Sequence, residues 1–185
     1  YEDGNVDDYE DDILTLQNGG WEIGLHTDPQ SINDIEKIKQ EKEKLESLTN
    51  IPIIGNRVHF LNYNSELPLK LKELGFVYDA SLRYSKDKID EKEMGHLKID
   101  EIIEFPVTLM DAYLFTHMRI KEENIISEFQ KTLEIGRKYS EENVISVLWH
   151  DNVLKMKGGR MYEKILGFLT SHDDVKILCG KDLVK

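Results

Sequence analysis

The chain is poor in the residues that staple, break or anchor a fold. It has one cysteine, Cys179, among 185 residues, so no internal disulfide can form, and only 4 prolines to interrupt regular structure. No apolar run approaches the roughly 18 residues of a membrane-spanning helix. Positive charge is also scarce. Lys and Arg number 24 against 36 Asp and Glu, giving a net charge of -12 that repels phosphate backbones and anionic lipid, and no local basic patch offsets it. Nucleic acid and membrane are therefore excluded as expected partners. What is present, 39% hydrophobic residues in ordered patterns, suffices for one soluble domain over residues 1–185. The first residue is Tyr1, not Met, and the acidic opening YEDGNVDDYEDD reads as solvated surface. Compartment stays open between cytoplasm and cell envelope.

Short apolar runs alternate with amphipathic stretches. WEIGLHT at 21–27 follows Gly19-Gly20 and precedes Asp28-Pro29, the pattern of a buried strand ending in a turn. Residues 31–48 place Ile32, Ile35, Ile38, Leu45 and Leu48 on one helical face, with Ser31 and Asp34 as a capping box. IPIIG at 51–55 predicts a second strand, and a helix over 67–74 closes at Gly75. Phe76-Val77-Tyr78 predicts the next strand, 83–100 is charged and irregular, and 102–110 (IIEFPVTLM) predicts a strand broken or placed at an edge by Pro106. A helix is expected over 122–139 and another over 160–170. VISVLW at 144–149 is the most apolar strand of the chain, and VKILC at 175–179 predicts a last one. Strands alternating with helices predict an α/β fold with a mostly parallel sheet.

Five of these strands end in ionisable groups: His26, then Arg57 with His59, then Asp79, then Asp111, then His150. In parallel sheets and barrels the carboxyl ends of the strands carry the site. One such residue is no more than a turn or cap, as Asp111 is before Ala112-Tyr113, and Arg57 has an ordinary reading as a structural ion pair with Asp79. Five in succession point to a site. His96, His117 and His172 lie in charged or loop-like surroundings and read as surface.

Several of these segments resemble, in order, the motifs of the polysaccharide deacetylases with a NodB-like domain, in a divergent branch marked by EIGLH. EIGLH at 22–26 resembles the metal-histidine strand, and GNRVHF at 55–60 the arginine motif. GFVYDASL at 75–82 resembles the strand with a buried aspartate, and VLWHD at 147–151 the closing Leu-x-His motif. The resemblance runs from about residue 13 to 183. It implies a distorted or incomplete (β/α) barrel and a hydrolase that removes an acyl group from a non-peptide amide, typically N-acetyl on an amino sugar or polysaccharide, with one divalent metal ion. By resemblance, His26 is a metal ligand, His150 the general acid, Arg57 the group that orients a catalytic carboxylate, and Asp79 the partner of Arg57 or His150. Leu148 and Trp149 line the acyl pocket; Asp111, from its place at a strand end, is expected either to face the substrate or to cap Ala112-Tyr113.

Three departures accompany these matches. The family's first motif, a strand ending in paired aspartates, has no counterpart: Asp7-Asp8 and Asp11-Asp12 follow no apolar strand, so the motif is expected upstream of Tyr1. The usual histidine four residues after His26 is Gln30, a poor zinc ligand. His59, in place of a proline, is a compensating ligand, with Asp28 as an oxygen donor; imidazole suits zinc, and nickel, cobalt or iron as well. The alternative function is a catalytically inactive carbohydrate-binding or interaction domain on the same scaffold. A barrel without its first strand exposes an edge, so an upstream segment or a partner chain, a second copy in a homo-oligomer included, is expected to cover it.

Overall fold

The computed structural model describes residues 6–139, 143–150 and 156–184. They gather into two compact units, one from 1–82, 98–104 and 178–185, the other from 83–97 and 105–177.

The first unit holds a mostly parallel sheet. Its strands are β1 (Leu25–Thr27), β2 (Gly55–Val58), β3 (Tyr78–Asp79), β4 (Leu97–Ile99) and β5 (Ile102–Glu104), in the order β1-β2-β3-β5-β4. β1/β2, β2/β3 and β3/β5 pair in parallel, with Leu25 opposite Asn56, Asn56 opposite Asp79 and Asp79 opposite Glu104. Asp100 and Glu101, both at positive φ, make the two-residue hairpin turn between β4 and β5, the sense that matches strand twist. The helices are α1 (Glu10–Asn18), α2 (Ile35–Thr49) and α3 (Leu67–Glu73). α2 starts at Asp34, whose carboxylate accepts from the N–H groups of Glu36 and Lys37; Ser31 belongs to a separate 3-10 turn before it. Leu25, Val58 and Ile102 of the sheet bury against Ile38, Leu45, Leu67 and Leu71 of α2 and α3.

Side chains alternate along a strand, so His26 and Arg57, which are paired in register, face away from this core. Glycine is required where Tyr78 packs: a methyl group at Gly55 or at Gly180 would overlap its ring.

The second unit is built on β6 (Val107–Met110) and β7 (Ser146–Leu148), a parallel pair with Met110 opposite Leu148. Against it lie α4 (Ile125–Tyr139) and α5 (Lys157–Thr170), which bury Ile125, Phe129, Met161 and Ile165 with Leu109 and Leu114. Complete burial of a side chain such as Phe129 contributes roughly 1.5–3 kcal/mol. A one-turn α6 (Gly180–Leu183), in the first unit, ends the described chain.

The α/β class and the parallel pairing agree with the sequence, while several elements differ. Pro106 divides 102–110 into β5 and β6, which lie in different sheets. The acidic opening holds α1, because Ile13 packs onto the core. Residues 175–179 form no strand; Ile177 and Leu178 are exposed. β7 is shorter than 144–149, and its Val147 is exposed; among the described residues the strand pairs with β6 alone. Trp21, at the start of the buried strand expected over 21–27, is 58% exposed because β1 begins four residues later. Among the described residues no helix is long and apolar enough to cross a membrane.

Candidate functional site

In the first unit the carboxyl ends of β1 and β2 bring together two of the expected side chains. His26 and His59, 33 residues apart, meet with Nε2 of His26 2.9 Å from Nδ1 of His59. The other ring nitrogen of His26, Nδ1, lies 2.9 Å from the main-chain oxygen of Arg57. A carbonyl can only accept, so Nδ1 of His26 carries the proton, and Nε2 of the neutral ring is left with its lone pair. A backbone acceptor holding one imidazole nitrogen so that the other is free is the arrangement that orients metal-binding histidines.

The pair fits an ion. Two imidazoles bound tetrahedrally at about 2.0–2.1 Å have their nitrogens about 3.3 Å apart, a few tenths of an ångström beyond the distance across which these rings hydrogen-bond. His59 then has to give up its Nδ1 proton to become a donor. Catalytic zinc usually takes three protein ligands. Among the described residues no group of three or more His, Cys, Asp or Glu is placed to hold a metal, and the pair by itself offers two imidazole nitrogens. Asp28, the expected oxygen donor, is used locally: its Oδ1 accepts from the N–H of Gln30 at 2.7 Å.

His59 is followed by a strained turn. Phe60 and Leu61 both have positive φ, 61° and 54°, which costs a side-chain-bearing residue roughly 1–2 kcal/mol. The Phe60 ring lies 4.0 Å from that of His59, centre to centre, and is 72% exposed.

Beneath these groups, on the face covered by α2 and α3, runs a buried polar row. Thr27 Oγ1 donates to Asn56 Oδ1 at 2.6 Å, Asn56 Nδ2 to Asp79 Oδ1 at 2.8 Å, and Ser81 Oγ to the same oxygen at 2.8 Å. Asp79 Oδ2 and Glu104 Oε2 are sealed from water with no hydrogen-bond partner among the described residues, and the two buried carboxyl groups act on each other's charge. Burial, and then the charge of Asp79, pushes Glu104 up to about 9, so Glu104 holds its proton at neutral pH. Burial pushes Asp79 up as well. Arg57 donates from Nε to the Ala80 carbonyl at 3.0 Å; burial pulls its guanidinium down from its ordinary value, and the negative charge of Asp79 opposes that.

In the second unit the register of β6 and β7 sets Asp111 beside His150. Asp111 is 1% exposed and accepts three hydrogen bonds: Oδ1 from Nδ1–H of His150 at 2.6 Å and from the N–H of Ala112 at 2.7 Å, and Oδ2 from the N–H of His150 at 3.0 Å. Nδ1 therefore carries the proton here too, and Nε2 is the nitrogen left to exchange one. Trp149 is anchored through Nε1–H to the Gly158 carbonyl at 3.1 Å and packs among Phe115, Phe129 and Tyr162. Leu148 is buried.

Two expectations change with this geometry. Asp79 accepts from Asn56 and Ser81 and its charge acts on Arg57, while the carboxylate on His150 is Asp111 and not Asp79. Asp111, expected at the substrate, is sealed from solvent with both oxygens occupied by His150 and Ala112. Asp151, part of the VLWHD segment, lies outside the described residues. The sequence reading missed Thr27, Asn56, Ser81 and Glu104. The one available signal was a charged Glu104 within the apolar run IIEF.

The chain superposes on three solved structures along 97% of its length. With a Mycobacterium smegmatis protein assigned to the polysaccharide deacetylases the TM-score is 0.73 at 18% identity. With a Pseudomonas aeruginosa PAO1 protein assigned the same way it is 0.73 at 17%, and with Puue allantoinase 0.74 at 16%. The fold is that of the polysaccharide deacetylases. On this deacetylase fold the chain spans 67%, 63% and 63% of the M. smegmatis, P. aeruginosa and allantoinase chains, respectively. No protein-family model matches the sequence, and no curated protein does. The described strands form a five-stranded and a two-stranded sheet, with no closed ring of hydrogen-bonded strands among the described residues.

Proposed function

We propose that the chain is a metal-dependent hydrolase that removes an acyl group from a non-peptide carbon–nitrogen bond, acting on the N-acetyl group of an amino sugar. The observation that carries this reading is the His26–His59 pair, with His26 locked by the Arg57 carbonyl in the tautomer a metal ligand needs. The deacetylase fold supports it.

His26 and His59 hold the ion, with zinc, nickel, cobalt or iron suited to two imidazoles. A divalent ion bound there supplies a polarised carbonyl and a bound water whose pKa falls toward neutrality. His150 supplies the other half of the chemistry. Nε2 of His150, without a proton in the neutral ring, takes the proton that water loses as its oxygen bonds to the carbonyl carbon; when the carbon–nitrogen bond breaks, the electron pair stays on nitrogen, and that nitrogen takes this proton from Nε2 and leaves as an amine. Asp111 keeps the ring oriented and its Nδ1 proton in place during the transfer. Arg57, desolvated and fixed on Ala80, provides positive charge to orient a carboxylate. Leu148 and Trp149, beside His150 in the chain, form the apolar wall for the acyl methyl group.

The test is metal content and hydrolysis together. Purified protein loaded with zinc is expected to retain about one ion and to release acetate from N-acetylglucosamine oligomers. Opening of the allantoin ring to a carboxylate, with no acetate released from the oligomers, would move the substrate to the cyclic ureides; an allantoinase shares this fold. The second reading, a sugar-binding domain without catalysis, is favoured by the two-ligand set and Gln30. It predicts oligosaccharide binding with no acetate release at any metal loading.

A further inference from the structure

We propose that Phe60 is the stacking platform for the sugar ring next to the scissile N-acetyl group, a substrate-contacting and specificity-determining residue. The inference rests on the deacetylase reading of the His26–His59 pair and adds to it the residue that recognises the ring.

Three observations meet at Phe60. Its ring is 72% exposed, so folding recovers little from burying it. Its backbone and that of Leu61 lie at φ 61° and 54°, a conformation that side-chain-bearing residues avoid, so the turn presents the ring outward at the expense of local stability. The ring is in contact with His59, the histidine that meets His26, with centres 4.0 Å apart and planes tilted by 48°. An exposed aromatic held by a strained turn against a candidate metal ligand has no packing role to explain it. Strain of this kind persists at ligand sites.

The chemistry of the ligand follows from the ring. An aromatic face carries partial negative charge and attracts the weakly positive C–H face of a saturated ring, which a pyranose offers. The net charge of -12 disfavours anionic polysaccharides and favours a neutral N-acetylated sugar whose product is a cationic amine. A small planar amide without a saturated ring has nothing to lay on Phe60.

The experiment compares wild type, Phe60→Ala, Phe60→Trp and Phe60→Gly, each zinc-loaded. Binding of the N-acetylglucosamine tetramer is followed by calorimetry, hydrolysis of the tetramer and of N-methylacetamide by acetate release, and stability by thermal melting. Phe60→Ala is expected to weaken tetramer binding and raise KM at least tenfold, to leave N-methylacetamide hydrolysis within twofold, and to keep the wild-type Tm. Phe60→Trp restores tetramer binding to within threefold. Phe60→Gly, which relieves the positive φ, raises the Tm while losing the tetramer, a combination a structural aromatic cannot give. Unchanged tetramer binding in Phe60→Ala overturns the platform and leaves the hydrolase standing. A fall in Tm of both Phe60→Ala and Phe60→Gly overturns it as well, by making the ring structural. A wild type that hydrolyses N-methylacetamide but neither binds nor cleaves the tetramer overturns the sugar platform alone. Absence of hydrolysis with intact, Phe60-dependent tetramer binding upholds the platform and removes the hydrolase.

Discussion

His26 lies within a parallel strand and His150 just beyond one, and each has Nδ1 hydrogen-bonded, yet the acceptors differ. His26 donates from Nδ1 to a main-chain carbonyl, which is neutral, and its Nε2 meets a second imidazole. His150 gives its proton to Asp111, a carboxylate that is 1% exposed and held by two further N–H groups. A neutral acceptor fixes a tautomer and leaves a lone pair for an ion. A buried carboxylate also fixes the tautomer, and it stabilises positive charge on its partner while a proton is being passed on. The lesson is that the two rings differ less in themselves than in the acceptor behind each, a neutral carbonyl or a buried carboxylate.

The sharpest way to break this comparison is to remove each ring in turn. His150→Ala is expected to lower kcat by about 100-fold to 10,000-fold, the range for loss of a general acid, with zinc content unchanged. His26→Ala should do the reverse in kind: zinc measured after gel filtration falls from about one ion to near zero, and activity disappears with it. A His150→Ala protein that loses its zinc, or a His26→Ala protein that keeps it, would erase the distinction.

A smaller effect separates the acceptors themselves. Asp111→Asn preserves shape but can present an N–H to Nδ1 of His150 and so select the wrong tautomer; a loss of about 10-fold to 100-fold in kcat is expected, with zinc retained. Full activity would mean that Asp111 is only a cap for Ala112, the ordinary reading of a strand-end aspartate.

Much of this was legible in the sequence, for reasons that differ between the parts. The helices α2 and α3 announce themselves by spacing, and the glycine at 75, at φ 77°, ends the second as expected. The histidines at 26 and 59 stood out because each follows an apolar run. The acceptors did not. The carbonyl of Arg57 is present at every residue of any sequence, and only the register of β1 on β2 selects it. Glu104 sits 25 residues from Asp79, and its burial comes from the pairing of β3 with β5, which no local pattern encodes. α1 was hidden by its acidic residues, because the apolar contact of Ile13 counts for more than the charge around it.

The smallest expected effect concerns the floor under the first histidine pair. Glu104 has its pKa pushed from an ordinary 4.5 up to about 9, so between those values the folded chain holds a proton that the unfolded chain releases. Folding stability from this group is therefore complete below pH 4.5 and is lost as pH rises towards 9. Wild type is expected to lose roughly 5 °C or more in Tm over that window. Glu104→Gln keeps an oxygen for the Leu82 N–H, and it has no proton to release. Its melting curve should flatten across the same window, with kcat at pH 7 within about threefold of wild type, since the row faces α2 and α3 and not the His26 side. A slope identical to wild type would mean that Glu104 holds no such proton, and that both carboxylates are ionised beside Arg57.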